Sequence, residues 1–140
     1  MLKNRLLIIS LMMCMVLGTI TFALGAPAPK ISVSISSLYV GAPHQTANQE
    51  SVQIKNTGTT AVNLKSWKIV DKKKLHTYTF SSFILKSKST VTLRSGKSTN
   101  TANTLYWNKG SFVWNNEGDI AYLYNAQGKL VSTKNGMKVK

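Results

Sequence analysis

Residues that usually carry catalysis or metal binding are scarce in this chain. Its 140 residues include one cysteine, two histidines and four acidic residues. Cys14 lies in an apolar N-terminal stretch, so the rest of the chain can form neither a disulfide nor a cysteine metal site. His44 and His76 have no second ligand at metal-binding spacing. We therefore expect no catalytic, cofactor-binding or metal-binding residues.

Glu117 and Asp119 form the one close acidic pair. Their setting in the run Asn-Asn-Glu-Gly-Asp is typical of a turn in which the Asp119 side chain accepts backbone amides. Two alternatives use the same residues: a catalytic carboxylate pair, and a calcium site whose oxygen ligands include Asn115 and Asn116. The positive charge of the chain disfavours calcium, and the turn is our prediction.

Negative charge is scarce relative to positive charge. Eighteen Lys and Arg residues against four acidic residues give a formal net charge of +14. Such an excess attracts polyanions, because long-range attraction depends on charge and not on fold. Nucleic acid, phosphate- or carboxylate-bearing wall polymers and anionic lipid surfaces all fit. The alternative is that the lysines only keep the protein soluble.

An apolar segment at the N-terminus predicts export from the cytoplasm. Lys3 and Arg5 precede the apolar residues 6–24, so residues 1–25 are predicted to be a signal peptide cleaved before Ala26. The alternative is an uncleaved membrane anchor, because the segment approaches the roughly 20 residues that span a bilayer. Either outcome predicts a secreted or cell-surface protein. Residues 26–30, with Pro27 and Pro29, are predicted to form a short spacer.

Short alternating apolar runs, separated by Gly, Asn and Ser, dominate the rest of the chain. Ile31, Val33 and Ile35 alternate with polar residues at the period of two expected for a half-buried strand. The pattern, without sustained helical periodicity, predicts an all-β sandwich or barrel over residues 31–134, with a basic tail at 135–140. An exposed loop is predicted at 95–104. Further strands are predicted around Val52 and Ile54, Val62 and Leu64, Trp67 and Ile69, Tyr78 and Phe80, Val91 and Leu93, Ile120 to Tyr124, and Leu130 and Val131.

Several short motifs occur in an order that resembles a known family. They are residues 50–58 (ESVQIKNTG), residues 62–64, Trp67, Asp71, residues 76–80 (HTYTF) and residues 114–119 (WNNEGD). Together they resemble the lamin tail domain, an immunoglobulin-like β-sandwich, over nearly all of the chain after the predicted signal peptide. The chain has no coiled-coil heptads, and with its export signal it is similar to the secreted bacterial and archaeal branch of that family.

The resemblance implies a non-enzymatic binding module. It does not name the ligand, because the partners of lamins include both DNA and proteins. The chain departs from the family pattern at Gln53, where an acidic residue is common, and in the turn 72–75, where a glycine is often seen. Contacts that depend on that charge or that turn do not carry over to this chain.

Two groups of side chains are candidates for binding. Basic residues at predicted turns and strand ends would bind an anionic partner, either envelope polymer or DNA backbone, without sequence selectivity. Tyr106 and Trp107 are candidates for an aromatic contact, with a core position as the alternative for Trp107. A different hypothesis is a module that docks extracellular proteins by a sheet edge or loop surface. The basic candidates are Lys72, Lys73, Lys74, His76, Lys86, Lys88, Arg94 and Lys97.

Overall fold

The computed structural model describes residues 32–137, which form ten strands and no helix. The predicted signal peptide, the predicted spacer and residues 138–140 lie outside the described residues. Within the described range, no helix has the length and apolar character needed to cross a membrane. The strands are β1 (Val33–Tyr39), β2 (Ser51–Asn56), β3 (Val62–Asn63), β4 (Lys68–Val70), β5 (Thr77–Thr79), β6 (Ile84–Leu85), β7 (Thr90–Arg94), β8 (Thr104–Tyr106), β9 (Gly118–Tyr124) and β10 (Leu130–Met137).

The strands form two four-stranded sheets and one short pair. The first sheet has the order β1-β2-β7-β8, the second has the order β10-β9-β4-β5, and β3 pairs with β6. All pairs are antiparallel except β7 with β8, which run parallel. This arrangement confirms the predicted all-β, immunoglobulin-like β-sandwich.

The core lies between the two large sheets and follows directly from the alternation in the strands. In β2, Val52 and Ile54 are fully buried while Gln53 and Lys55 are exposed. Side chains two residues apart point to the same face of a strand, so one face of β2 enters the core. The large buried side chains include Trp67 and Trp114, as predicted.

One side of the sandwich is closed by close packing of β1 against β10. A Cβ atom at Gly136 would lie 2.6 Å from Val40 Cγ1 and 2.7 Å from Leu38 Cγ, so only glycine fits this approach. The Ile35 N–H also donates to Ser132 Oγ across this seam, at 3.0 Å. On the opposite side, β5 and β8 are the outer strands of their sheets.

Most predicted strands are confirmed, with differences at the shortest elements. Neither β6 nor β8 was predicted, and β8 begins at Thr104, the last residue of the predicted loop. β10 continues through Met137, so the first three residues of the predicted basic tail are paired with β9 instead. β9 lies between two neighbours in its sheet, as expected for a strand with apolar residues on both faces.

Candidate anion-binding surface

Three of the four carboxylates are buried, and each holds backbone amides in place. Glu50 is 0% exposed. Its Oε2 atom accepts a hydrogen bond from the Val113 N–H at 2.9 Å, and its Oε1 atom accepts one from the Trp114 N–H at 3.1 Å. Glu50 therefore fixes the segment before β9 against the segment before β2.

Burial raises the pKa of the Glu50 carboxyl above its ordinary value, because desolvation penalises the charged form. The amides of Val113 and Trp114 oppose this effect by stabilising the carboxylate. The nearby Ser95 hydroxyl acts in the same direction, although its oxygen makes no hydrogen bond of standard geometry. Both carboxylate oxygens of Glu50 are thus engaged in hydrogen bonds within the fold.

Asp119 accepts backbone amides in its turn, as predicted, and it also joins this turn to a second loop. Its Oδ2 atom accepts from the Asn115 N–H at 3.0 Å, which closes the turn before β9. Its Oδ1 atom accepts from the Ile120 N–H at 2.7 Å and from the Lys72 N–H at 3.2 Å. The second of these bonds anchors the loop between β4 and β5.

Asp71 organises the β4–β5 loop from within. Its Oδ1 atom accepts from the His76 N–H at 2.7 Å, and its Oδ2 atom lies 3.7 Å from His76 Nδ1. The Asp71 carbonyl accepts from the Lys74 N–H at 3.0 Å. These bonds hold the three exposed lysines 72–74 on a defined loop, and His76 is half-buried at the end of that loop.

The solvent-facing surface of the described residues is consequently almost all of one charge. Every Lys and Arg side chain in residues 32–137 is exposed or half-exposed, whereas Glu117 is the only exposed acidic residue in that range. Charged side chains seldom lie in a protein interior unless they are paired or hydrogen-bonded. Here the acidic ones are hydrogen-bonded inside and the basic ones remain at the surface.

The predicted basic residues lie at two opposite ends of the sandwich. Asp119 ties Lys72 to the turn before β9, and Glu50 ties that region to the end of β7, where the Ser95 N–H donates to the Glu50 carbonyl. Asn56, at the far end of β2, donates to the Leu85 carbonyl. The two ends of β2 are about 17 Å apart, at about 3.4 Å per residue. One end carries Lys72, Lys73, Lys74, His76, Arg94 and Lys97, and the other carries Lys86 and Lys88.

Two of these basic side chains also hold loops. Arg94 Nη1 donates to the Asn48 carbonyl at 2.9 Å, and Lys88 Nζ donates to the Thr57 carbonyl. Lys97 instead lines a shallow hollow of about 230 Å³ at the end of the first sheet. Lys109, which sequence reasoning did not single out, lines the same hollow. The end with more basic residues therefore carries a further lysine.

The comparisons with known proteins agree with the fold. A family model described as Lamin Tail Domain matches residues 26–135. The chain belongs to the lamin tail domain family. No curated protein matches the chain. The family consists of non-catalytic, immunoglobulin-like binding domains, and within residues 32–137 of this lamin tail domain no three His, Cys, Asp or Glu residues could together hold a metal ion.

The aromatic candidates differ in accessibility. Trp107 is 8% exposed and packs edge-on against Tyr78 and Trp114, with ring centroids 5.6 and 6.0 Å apart. Its ring packs in the core between β5 and β8. The prediction that Trp107 offers an aromatic contact to a ligand is therefore wrong, because the ring is buried. Tyr106 is half-buried on β8. Burial also raises the pKa of Tyr78, which is half-buried beside Trp107.

The sheet edges of this lamin tail domain are unequal. The outward side of β8 is covered by its own loop: the Tyr106 N–H donates to Asn100 Oδ1 at 2.8 Å, and the Thr104 N–H donates to Thr101 Oγ1 at 3.1 Å. In the described residues β5 pairs with β4 alone. The Phe80 N–H donates to the Trp67 carbonyl and the Asp71 N–H to the His76 carbonyl, so the alternation of an antiparallel pair directs the backbone groups of Thr77 and Thr79 away from the sheet. β5 therefore has the open edge.

Sequence reasoning also left out Lys68 and Tyr124, although a signal for both was present. Lys68 precedes the buried Ile69, and Tyr124 follows the buried Leu123. Alternation therefore places both side chains on the outer face of their sheet, where they are direct cross-strand neighbours. In β9, Tyr122 and Tyr124 alternate with Ala121 and Leu123, which have no polar side-chain atom, and this pattern could have shown that the tyrosines face outward.

Proposed function

We propose that this lamin tail domain is a secreted or cell-surface module that binds an anionic polymer, either envelope polymer or the DNA backbone. The observation that carries the proposal is the separation of charge: the basic side chains are at the surface, while three of the four carboxylates are buried. The predicted N-terminal export signal supports the location.

The loop lysines suit backbone-directed binding. Residues 72–74 are all exposed, and their loop is held by Asp71 and Asp119 through backbone amides. A lysine ammonium acts as a point charge and lacks the two-pronged geometry with which arginine selects its partners. Binding should therefore depend on the charge density of the polymer and not on its sequence.

The proposal is tested by titrating the purified protein against labelled duplex DNA of two unrelated sequences at 50 mM salt. We expect equal affinities for the two sequences, with displacement by isolated cell envelope and none by an uncharged polymer. The amount of envelope needed then ranks the two anionic partners. Absence of binding to either duplex or to the envelope at 50 mM salt would contradict the proposal.

A protein-docking function is the second candidate, and the open edge of β5 favours it. A partner strand could pair with the outward backbone groups of Thr77 and Thr79. Thr79→Pro removes one outward N–H and is compatible with an edge strand. Under this alternative the variant loses capture of extracellular partners by at least about 5-fold, since each main-chain hydrogen bond contributes about 1 kcal/mol. Thr79→Val keeps this N–H and is the matched control. A proline on β10, such as Thr133→Pro, would disturb the packing of β10 against β1 and cannot serve as one.

A further inference from the structure

A groove lies on the outer face of the second sheet, beside β4, β5 and β9. Its volume is about 340 Å³, at the lower end of the range for sites that hold small molecules. It can therefore hold a short segment of a longer chain. Its lining residues are Lys68, Val70, Lys74, Thr77, Tyr124 and Gly128.

The register of the sheet builds this groove. Lys68 lies directly opposite Tyr124 on β9, and Val70 lies opposite Thr77 on β5. The ring and the lysine stem are therefore neighbours at one end, with an apolar floor and a threonine hydroxyl beyond them. Gly128, at a φ of +75°, has no atom within 4 Å of where a Cβ would lie, so that end is open.

Lys74 supplies a second ammonium group from an unfavourable backbone position. Its φ is 58°, in the left-handed region that favours glycine. Backbone strain of this kind persists where the surrounding structure or the function requires the side chain. Glycine would adopt this turn more easily, but it would leave the groove without its second positive charge.

The chemistry of the lining selects a class of ligand. None of the six lining residues is acidic, and together they offer two ammonium groups, a hydroxyl, a tyrosine and an apolar floor. Ammonium groups attract carboxylates, threonine bonds sugar hydroxyls, and a tyrosine ring packs against the apolar face of a sugar ring. Sites for single-stranded nucleic acid instead stack successive bases on several aromatic rings.

We propose that this groove binds a carboxylate-bearing polysaccharide, with one sugar ring against Tyr124 and carboxylates at Lys68 and Lys74. The inference rests on the proposed binding of anionic polymers and specifies both the site and the polymer. Binding here positions a repeating unit, whereas the end loops contribute attraction by charge alone.

The test compares four probes with the full chain at 100 mM salt: oligogalacturonate, its methyl ester, polyphosphate and oligo-dT. We expect oligogalacturonate to bind most tightly and its methyl ester to bind at least about 10-fold more weakly, because esterification removes the charges that Lys68 and Lys74 contact. Tighter binding of oligo-dT, with loss in Tyr124→Val, would assign the groove to nucleic acid and overturn the proposal.

A matched pair of variants locates the site. Lys74→Gly and Lys88→Gly each remove one lysine from a left-handed position, with φ of 58° and 57° respectively, at opposite ends of the molecule. We expect Lys74→Gly to weaken oligogalacturonate binding about 5- to 10-fold without lowering Tm, and Lys88→Gly to change it less than about 2-fold. Tyr124→Val should also weaken binding, and Tyr106→Val on β8 should not.

The outcomes separate this inference from the general one. If the wild-type protein binds polyphosphate and oligogalacturonate equally, and Lys74→Gly and Lys88→Gly lose the same affinity, the groove proposal is wrong while polyanion binding stands. If the wild-type protein binds none of the charged probes, the proposed function itself fails.

Discussion

At the scale of single residues, the buried carboxylates explain both the shape of the loops and the charge of the surface. Glu50 binds the amides of Val113 and Trp114, and Asp119 binds the amides of Asn115 and Lys72 on two loops and that of Ile120 in β9. A buried amide without a partner costs about 1–3 kcal/mol, so these acids replace hydrogen bonds that the loops do not make among themselves. Their negative charge is therefore absent from the surface.

Glu50→Gln should destabilise the fold by about 1–3 kcal/mol, because the Gln amide nitrogen would face a backbone N–H that needs an acceptor. Urea unfolding at neutral pH measures this change. Glu117→Gln, the same chemical change at an exposed residue, is the control and should shift stability by less than about 0.5 kcal/mol. Equal stability of wild type and Glu50→Gln would show that the amide bonds contribute little.

The stability difference between wild type and Glu50→Gln should depend on pH in a definite direction. Burial raises the pKa of Glu50 above 4.5, so the folded state binds this proton more tightly than the unfolded chain does. That contribution is complete below pH 4.5 and is lost as the pH rises through the raised pKa. The difference in unfolding free energy between wild type and Glu50→Gln should therefore be largest at acid pH and should narrow through this window. A difference that widens with pH would contradict the assignment.

At the scale of elements, Asp119 couples the turn before β9 to the β4–β5 loop. Asp119→Asn should cost about 1–3 kcal/mol, since its N–H₂ group only donates and would replace one of the two oxygens that accept from the amides of Asn115 and Lys72. Hydrogen exchange should accelerate at both amides, although they are on different loops. Glu117→Gln in the same turn again serves as the control. Faster exchange at Asn115 with no change at Lys72 would show that the two loops are independent.

Alternation was enough to predict the longer strands but not the shortest ones. β2, β7 and β9 each contain two or more buried residues at a period of two, which is a strong local signal. β6 has two residues and β8 has three, and β8 pairs in parallel with a strand from which a long loop separates it. That pairing depends on tertiary contacts that no short window of sequence contains.

The candidate site was predictable residue by residue but not as an arrangement. Turn chemistry placed the lysines at residues 72–74 on a loop, and they are exposed there. Which lysines share an end depends on how the sheets stack, so Lys86 and Lys88 could not be separated from the others in advance. The burial of Trp107 also depends on stacking, because its partner Tyr78 lies 29 residues earlier in the chain, on a strand of the other sheet.

At the scale of the whole molecule, the covered edges of the sandwich and its accessible surfaces lie in different places. The β1–β10 side is sealed by the close approach at Gly136, and the β8 edge is covered by Asn100 and Thr101. Edge strands that are covered in this way resist pairing with other chains. The loop end with residues 72–74, the groove beside Tyr124 and the β5 edge remain accessible.

The central claim is that the basic surface binds an anionic polymer by charge. The most direct measurement is the affinity of the purified protein for random-sequence duplex DNA between 50 and 200 mM salt. With three or four phosphate contacts, the logarithm of the affinity should fall linearly with the logarithm of the salt concentration, so that the affinity falls about 40- to 150-fold over this range. Affinity that stays constant with salt, or no binding at 50 mM, would contradict the claim.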